Sequence, residues 1–219
     1  MLSGFVSLGA EFVTDWPIRA QQFYAFQMDA VSWVRMEDGV KEDYEFLAPQ
    51  FEEHTRAHVV DNLVTMLKNL AGPKLGYQVD RYEHSLQSGT RALRNGERSD
   101  LIVTALLHDV ADSFAPENHS EAAAALLAPY VDEESYWVAK HHGLFQGYYY
   151  FHHLGGDRHA RDMYRDSPHF DACVHFCEAY DQNCFDPNYK SLSIEEFTPV
   201  LREVFGRPSK VPGVASLPS

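Results

Sequence analysis

The stretch ALLHDVADSFAPENHSE, residues 105–121, ends an apolar run in the pair His108-Asp109 and places His119 at the start of a further helical segment. Adjacent imidazole and carboxylate groups do little for a helix core. They do suit a cation, because imidazole nitrogen with carboxylate oxygen and no thiolate is a donor set for iron, manganese or zinc. Neighbours on a helix point about 100° apart, so one small site can hold both only near a helix end. SFAPEN supplies that end. Upstream lies His84, in YEHSLQ; downstream lie His141 and His142, in KHHGLFQ, and Asp181, in CEAYDQ. The order is H…HD…H…H…D. A carboxylate shared by two metals would explain why an Asp follows His108 directly, and six protein ligands for two metals leave positions for substrate or oxygen. Taken singly, each residue has a plainer reading as a surface or core histidine or a solvated aspartate. What favours a metal is their recurrence over five consecutive helical segments, mostly beside apolar runs.

Those segments are legible from spacing and punctuation. KEDYEFLAPQFEEHTRAHVVDNLVTMLKNLAG has apolar residues at helical spacing and stops at Gly72-Pro73. VDRYEHSLQSGTRALRNG closes at Asn95-Gly96, and SDLIVTALLHDVAD opens on a Ser-Asp cap. NHSEAAAALLAPY carries a capping-box pattern, Asn118 with Glu121 three residues later. DEESYWVAKHHGLF is expected to break at Gly143, and SPHFDACVHFCEAYDQNCF and SIEEFTPVLREVFGR both start at Ser. No alternating run between tight-turn pairs predicts a hairpin. The expectation is an all-α protein: a helical extension over 1–73, a metal-binding bundle over 74–207 and a disordered tail over 208–219. Trp16, Phe23, Tyr24 and Trp33 mark residues 1–40 as a packing segment, a lid or a partner contact.

Composition narrows the partners. The 219 residues carry a formal charge of −14, which argues against a general basic surface for nucleic acid. A small anionic substrate stays open, since a metal or a local Arg cluster overrides the global field. No apolar run approaches the ~18 residues of a membrane span, and MLSGFVSLGAEFVTDWP lacks the basic start of a signal peptide. Three cysteines, Cys173, Cys177 and Cys184, fit reduced thiols in a cytoplasmic protein. Cys173 and Cys177 have the spacing of half a zinc site, but no second pair completes it, and small buried apolar residues are the better reading.

YEHSLQ, ALLHDV, NHSEAAAALL, KHHGLFQ and YDQNCFDP together resemble the HD-domain superfamily over roughly residues 74–206. The six-ligand pattern is similar to its dinuclear branch, and within that to the mixed-valent diiron oxygenases: myo-inositol oxygenase and the enzymes that cleave 1-hydroxyalkylphosphonates. The resemblance implies an HD-type helical bundle with two iron ions, Fe(II)/Fe(III), other divalent metals being possible. His84, His108, Asp109 and Asp181 would hold one iron, and Asp109, His119 and His142 the second. His141 competes with His142, which is preferred because the aromatic GLF follows it. The implied activity is O2-dependent cleavage of a C–C or C–P bond in a small hydroxylated substrate, with no catalytic group beyond the metal centre. The alternative within the superfamily is a metal-dependent phosphohydrolase acting on a phosphate ester or nucleotide.

The substrate side departs from both relatives. Asp112 stands where inositol oxygenase and many phosphohydrolases carry Lys, and Phe185 where inositol oxygenase carries another Lys. Lys74 and Tyr77 occupy the positions of a Tyr–Glu gate in the phosphonate cleavers, and Glu178 replaces their Arg. The candidate substrate contacts are Tyr77, Gln146, Arg158 and Arg161. The two arginines lie in HHLGGDRHARDMYR, where a three-residue spacing lets one helix face present both guanidinium groups; salt bridges with Asp157, Asp162 and Asp166 are the plainer reading. Tyr148, Tyr149, Tyr150 and Phe151 are read as core aromatics, with a pocket wall or a cation cage as the alternative. The sequence leaves the oligomeric state open.

Overall fold

The computed structural model describes residues 29–211, and every regular element among them is helical. The fold is the all-α bundle expected of an HD domain. The helices are α1 (Lys41–Lys68), α2 (Arg81–Arg94), α3 (Ser99–Leu107), α4 (His119–Leu127), α5 (Glu133–Tyr150), α6 (Phe170–Phe176) and α7 (Ile194–Phe205). A π-turn, Cys177–Asp181, continues α6, and short 3-10 turns fill several of the links. None of these helices is long and apolar enough to cross a membrane.

The chain divides into two compact units, Met1–Thr55 and Arg56–Ser219. In the described part of the first, Asp43 accepts hydrogen bonds from the Trp33 indole and the Val40 N–H, both at 3.0 Å. Trp33 packs its ring on Tyr44, while Trp16, Phe23 and Tyr24 lie outside the described residues.

In the second unit, α2 packs along α3 and against the π-turn. Its N-cap is Asp80, whose carboxylate accepts from the Glu83 N–H at 2.9 Å. Unusually, α2 buries polar side chains, among them His84, Gln87 and Thr90. Their partners lie in the segment after the π-turn: Gln87 donates to the Asp186 carbonyl at 2.7 Å, and Thr90 accepts from the Leu192 N–H at 3.0 Å. These bonds strap residues 184–192 along α2. Gly89 allows the close packing around it, since a Cβ there would sit 3.1 Å from Phe197 and 3.2 Å from the Leu106 Cβ. Apolar residues from α2 to α7, with Val60, Leu63 and Leu67 of α1, complete one core.

Three local expectations change. Asn118 makes no capping hydrogen bond, because it closes a 3-10 turn at φ −140° and ψ 30° rather than the extended backbone that aims a cap. α3 opens on Arg98, which reaches Asp132 and Glu134, and Asp100 turns away from its own helix end to accept from the Asp132 N–H at 2.7 Å. Helix α5 runs straight through Gly143 to Tyr150. That glycine serves close approach rather than termination, since a Cβ would lie 2.8 Å from the Ser120 hydroxyl. Past residue 208, Lys210 is tied back by its N–H to the Pro129 carbonyl at 2.8 Å.

Candidate metal centre

α3 ends at Leu107, so His108 and Asp109 leave the helix together and both enter the interior. The short link between α2 and α3 sets His84 beside them, with its Nε2 3.2 Å from that of His108. His119 opens α4, and His142 lies mid-way along α5. The π-turn delivers Asp181: its i→i+5 bond, Gln182 N–H to the Cys177 carbonyl at 3.0 Å, widens the last turn. Tyr180, next to it, donates to Glu97 and accepts from Asn95, both at 2.5 Å, which pins the turn from outside.

All six residues meet. Three overlapping groups have donor atoms within 4.8 Å of one another: His84, His108 and Asp109; His108, His142 and Asp181; and Asp109, His119 and His142. Asp109 divides its two oxygens. Its Oδ2 faces the Nε2 atoms of His84 and His108 at 3.5 and 3.6 Å, and its Oδ1 faces those of His142 and His119 at 3.2 and 3.4 Å. Asp181 Oδ1 lies 3.4 Å from His84 and 3.8 Å from His108, and accepts from the Gln146 amide at 2.9 Å.

Tautomers decide what such a cluster can hold. Each histidine spends Nδ1 on a backbone carbonyl: His84 on Cys184 at 3.1 Å, His108 on Ala105 at 2.8 Å, His119 on Pro116 at 3.0 Å and His142 on Ala139 at 2.7 Å. A carbonyl only accepts, so Nδ1 carries the proton and, in the neutral ring, Nε2 presents a lone pair. Those lone pairs converge on one another and on two carboxylates, an arrangement that repels itself unless a cation lies between. Asp181 Oδ2 is buried with no hydrogen-bond partner, a second sign of a missing positive charge. The residues therefore fit a metal, and the carbonyl contacts are the outer support that orients imidazole ligands.

Charge follows the same logic. Burial pushes the pKa of His108 down to about 4, so its ring is neutral at pH 7. Burial opposes the Asp109 charge, yet the surrounding imidazoles, His108 first, then His142 and His84, hold it well below the usual carboxylate range. Asp181 is lowered likewise, burial being outweighed by His84 and His108.

Beside Asp109 opens a cavity of about 330 Å³, lined in part by Tyr77, Arg81, His119, Gln146, Tyr150 and Phe185. Phe185 stacks on His84 at 4.5 Å and on Tyr77 at 4.8 Å, closing one wall. Burial raises the pKa of Tyr149 and Tyr150, which keeps these two lining phenols neutral.

Of the candidate substrate contacts, Tyr77 and Gln146 line this cavity, and Arg158 and Arg161 are not among its lining residues. The two guanidinium groups instead lie 4.1 and 3.9 Å from the centre of the Tyr148 ring. His141 packs between Trp137 and Tyr164 at 4.2 and 4.6 Å, so of the two adjacent histidines only His142 joins the cluster. The cysteines are free and buried; Cys177 donates to the His142 carbonyl at 3.5 Å. Arg81 escaped the sequence reading. Its Nε lies 3.2 Å from Asp112 Oδ2 and its Nη1 3.5 Å from Asp109 Oδ2. The available signal was its place three residues before His84, one helical turn away on the same face.

The sequence model of the HD domain family matches residues 81–182, which span all six clustered residues. No curated protein matches the chain. Within the matched residues lie the buried His/Asp groups able to hold divalent metal.

Proposed function

We propose that this HD-domain chain is an O2-dependent diiron oxygenase that cleaves a C–C or C–P bond in a small hydroxylated substrate. The observation that carries the reading is the division of Asp109, whose two oxygens face two different pairs of Nδ1-protonated histidines. His84, His108, Asp109 and Asp181 would hold one metal, and Asp109, His119 and His142 the other. A mixed-valent Fe(II)/Fe(III) pair in these positions would supply one-electron chemistry with O2 and a Lewis-acid position for the substrate hydroxyl.

The chain's own groups position and exclude. Gln146 holds Asp181 in place, and the stacked Tyr77 and Phe185 rings form an apolar wall beside it. The choice of reaction class turns on protons. Ester hydrolysis needs a group that protonates the departing oxygen. Apart from the clustered residues, the ionisable side chains lining the cavity are Arg81 and tyrosines, and a guanidinium does not release its proton near pH 7. Asp112, at the position of the hydrolase Lys, is engaged by Arg81. Anion binding is thereby retained while the Lys of many hydrolases is replaced by a carboxylate, which suits an oxygenase better than a phosphatase. The second reading, a metal-dependent phosphohydrolase, is favoured by the HD-domain match and by the cation facing the cavity.

Iron-loaded protein on an oxygen electrode, with a panel of hydroxyphosphonates and polyols, tests both. The oxygenase reading expects substrate-dependent O2 uptake, with a mixed-valent EPR signal from the partly reduced protein. Rapid metal-dependent phosphate release from phosphomonoesters, indifferent to O2, would replace it with the hydrolase.

A further inference from the structure

The four clustered histidines do not obtain their support in the same way. His108, His119 and His142 each donate from Nδ1 to the carbonyl three residues before them, so the local turn sets the ring. His84 donates to the Cys184 carbonyl, 100 residues further along the chain. Its tautomer therefore depends on where a distant segment lies. The next residue, Phe185, stacks on the same imidazole with ring centres 4.5 Å apart. Cys184 and Phe185 thus hold the edge and the face of one ring. Asp186 follows, and Gln87 holds it at both backbone groups. The amide donates to the Asp186 carbonyl at 2.7 Å and accepts from the Asp186 N–H at 3.2 Å. Its nitrogen also reaches Glu83 at 3.3 Å, and the side chain is fully buried. A carboxylate only accepts and an ammonium only donates, whereas an amide does both. Gln87 lies three residues after His84 on the same face of α2. One helix carries both the histidine and the clamp on its support.

Resting on the dinuclear reading above, we infer that Gln87 is a positioning residue for the metal position of His84. By fixing the Asp186 peptide it keeps the Cys184 carbonyl on His84 Nδ1, and so keeps Nε2 as the ligand atom. The other three histidines, supported from their own turns, need no such clamp.

Nitrogen NMR of the imidazole rings in metal-free protein reads the tautomer, and chelator competition with zinc reads the affinity. Gln87→Met keeps the approximate volume and drops both hydrogen bonds to Asp186. His84 should then lose its single Nδ1-protonated form, while His108 and His142 keep theirs. Zinc at the His84 position should bind about ten- to a hundredfold more weakly, the usual cost of a lost outer support, with the other position unchanged. Thr90→Val is the control. It removes the hydroxyl that holds the Leu192 N–H at 3.0 Å, farther along the same strap. It should lower the melting temperature and move neither the tautomer nor either affinity. A His84 ring that stays Nδ1-protonated in Gln87→Met overturns the clamp and leaves the metal centre standing. So does an affinity loss as large in Thr90→Val as in Gln87→Met. Wild-type protein that takes up no zinc overturns the dinuclear reading, and the tautomer still decides the clamp. Should Gln87→Met not fold, hydrogen exchange in the wild type decides. Coupling is reciprocal, so zinc should slow exchange of the Asp186 N–H about tenfold more than that of the Leu192 N–H; equal slowing overturns the clamp.

Discussion

The two ends of the cluster share a ligand chemistry and differ in what stands behind it. His84, His108 and Asp181 have side chains 0%, 0% and 4% exposed, enclosed by α2, α3 and the strap over residues 184–192. His119 is 24% exposed, with Asp112 at 21% beside it, and it rests on the first turn of α4. Its Nε2 is shared with the Ser120 hydroxyl at 3.2 Å. The comparison teaches that one end is built as a closed holder and the other as an accessible one. Substrate should meet the second.

Two substitutions break the comparison most severely. Asp109→Ala removes the group common to both ends, and metal analysis should find both positions empty. His119→Ala should lose about one equivalent and keep the other. One full equivalent in Asp109→Ala would show that the ends are independent and that Asp109 does not bridge. A smaller effect sharpens the contrast: Gln146→Leu deprives Asp181 of its hydrogen bond, and loss of such outer support typically costs about ten- to a hundredfold in metal affinity. The loss should fall on the enclosed position, read by chelator competition as a change in the tighter phase. A change confined to the weaker phase would reassign Asp181.

The smallest effect lies away from both ends, as a control on the scaffold. Burial opposes the Asp100 charge, but the Arg207 hydrogen bond and the Asp132 N–H hold its pKa below the ordinary value. A depressed folded pKa gives stability that is present above the unfolded carboxylate pKa and lost as pH falls through the folded value. Asp100→Asn should therefore cost roughly 1–2 kcal/mol near pH 7. The gap from wild type should close in acid, below the normal carboxylate range. Thermal melts at both pH values check it; a gap that is constant with pH would mean that the charge plays no part.

Much of the centre was legible because its residues are chemically out of place. A His-Asp pair closing an apolar run, and histidines at helix starts, have few other uses. The substrate side was less so. Arg158 and Arg161 were spaced to share a face, but spacing does not say which neighbour that face meets. On α5, His142, Gln146 and Tyr149 line the cavity, whereas Phe145 and Tyr148 lie on another stripe, where the two arginines stack. Arg81 looked like an ordinary charged residue in a first turn, since its value comes from Asp109 and Asp112, near in space and distant in sequence. Gly143 carries the usual signal of a helix stop, and only the nearness of Ser120 reveals its other purpose. A π-turn leaves no mark on the apolar period that a straight helix would not.

That turn ties the centre to chain length in a way that composition does not. Tyr180 is anchored outward to Glu97 and Asn95, while Asp181 points inward to His84 and Gln146. Between α6 and these two anchors the backbone has one residue more per turn than an α-helix uses. The same five residues wound at the ordinary α pitch, with none removed, would turn the carboxylate by tens of degrees away from His84 and Gln146. Helix content and most of the core would survive such a rewinding. The damage would be one of phase: an intact bundle whose last ligand faces the wrong way.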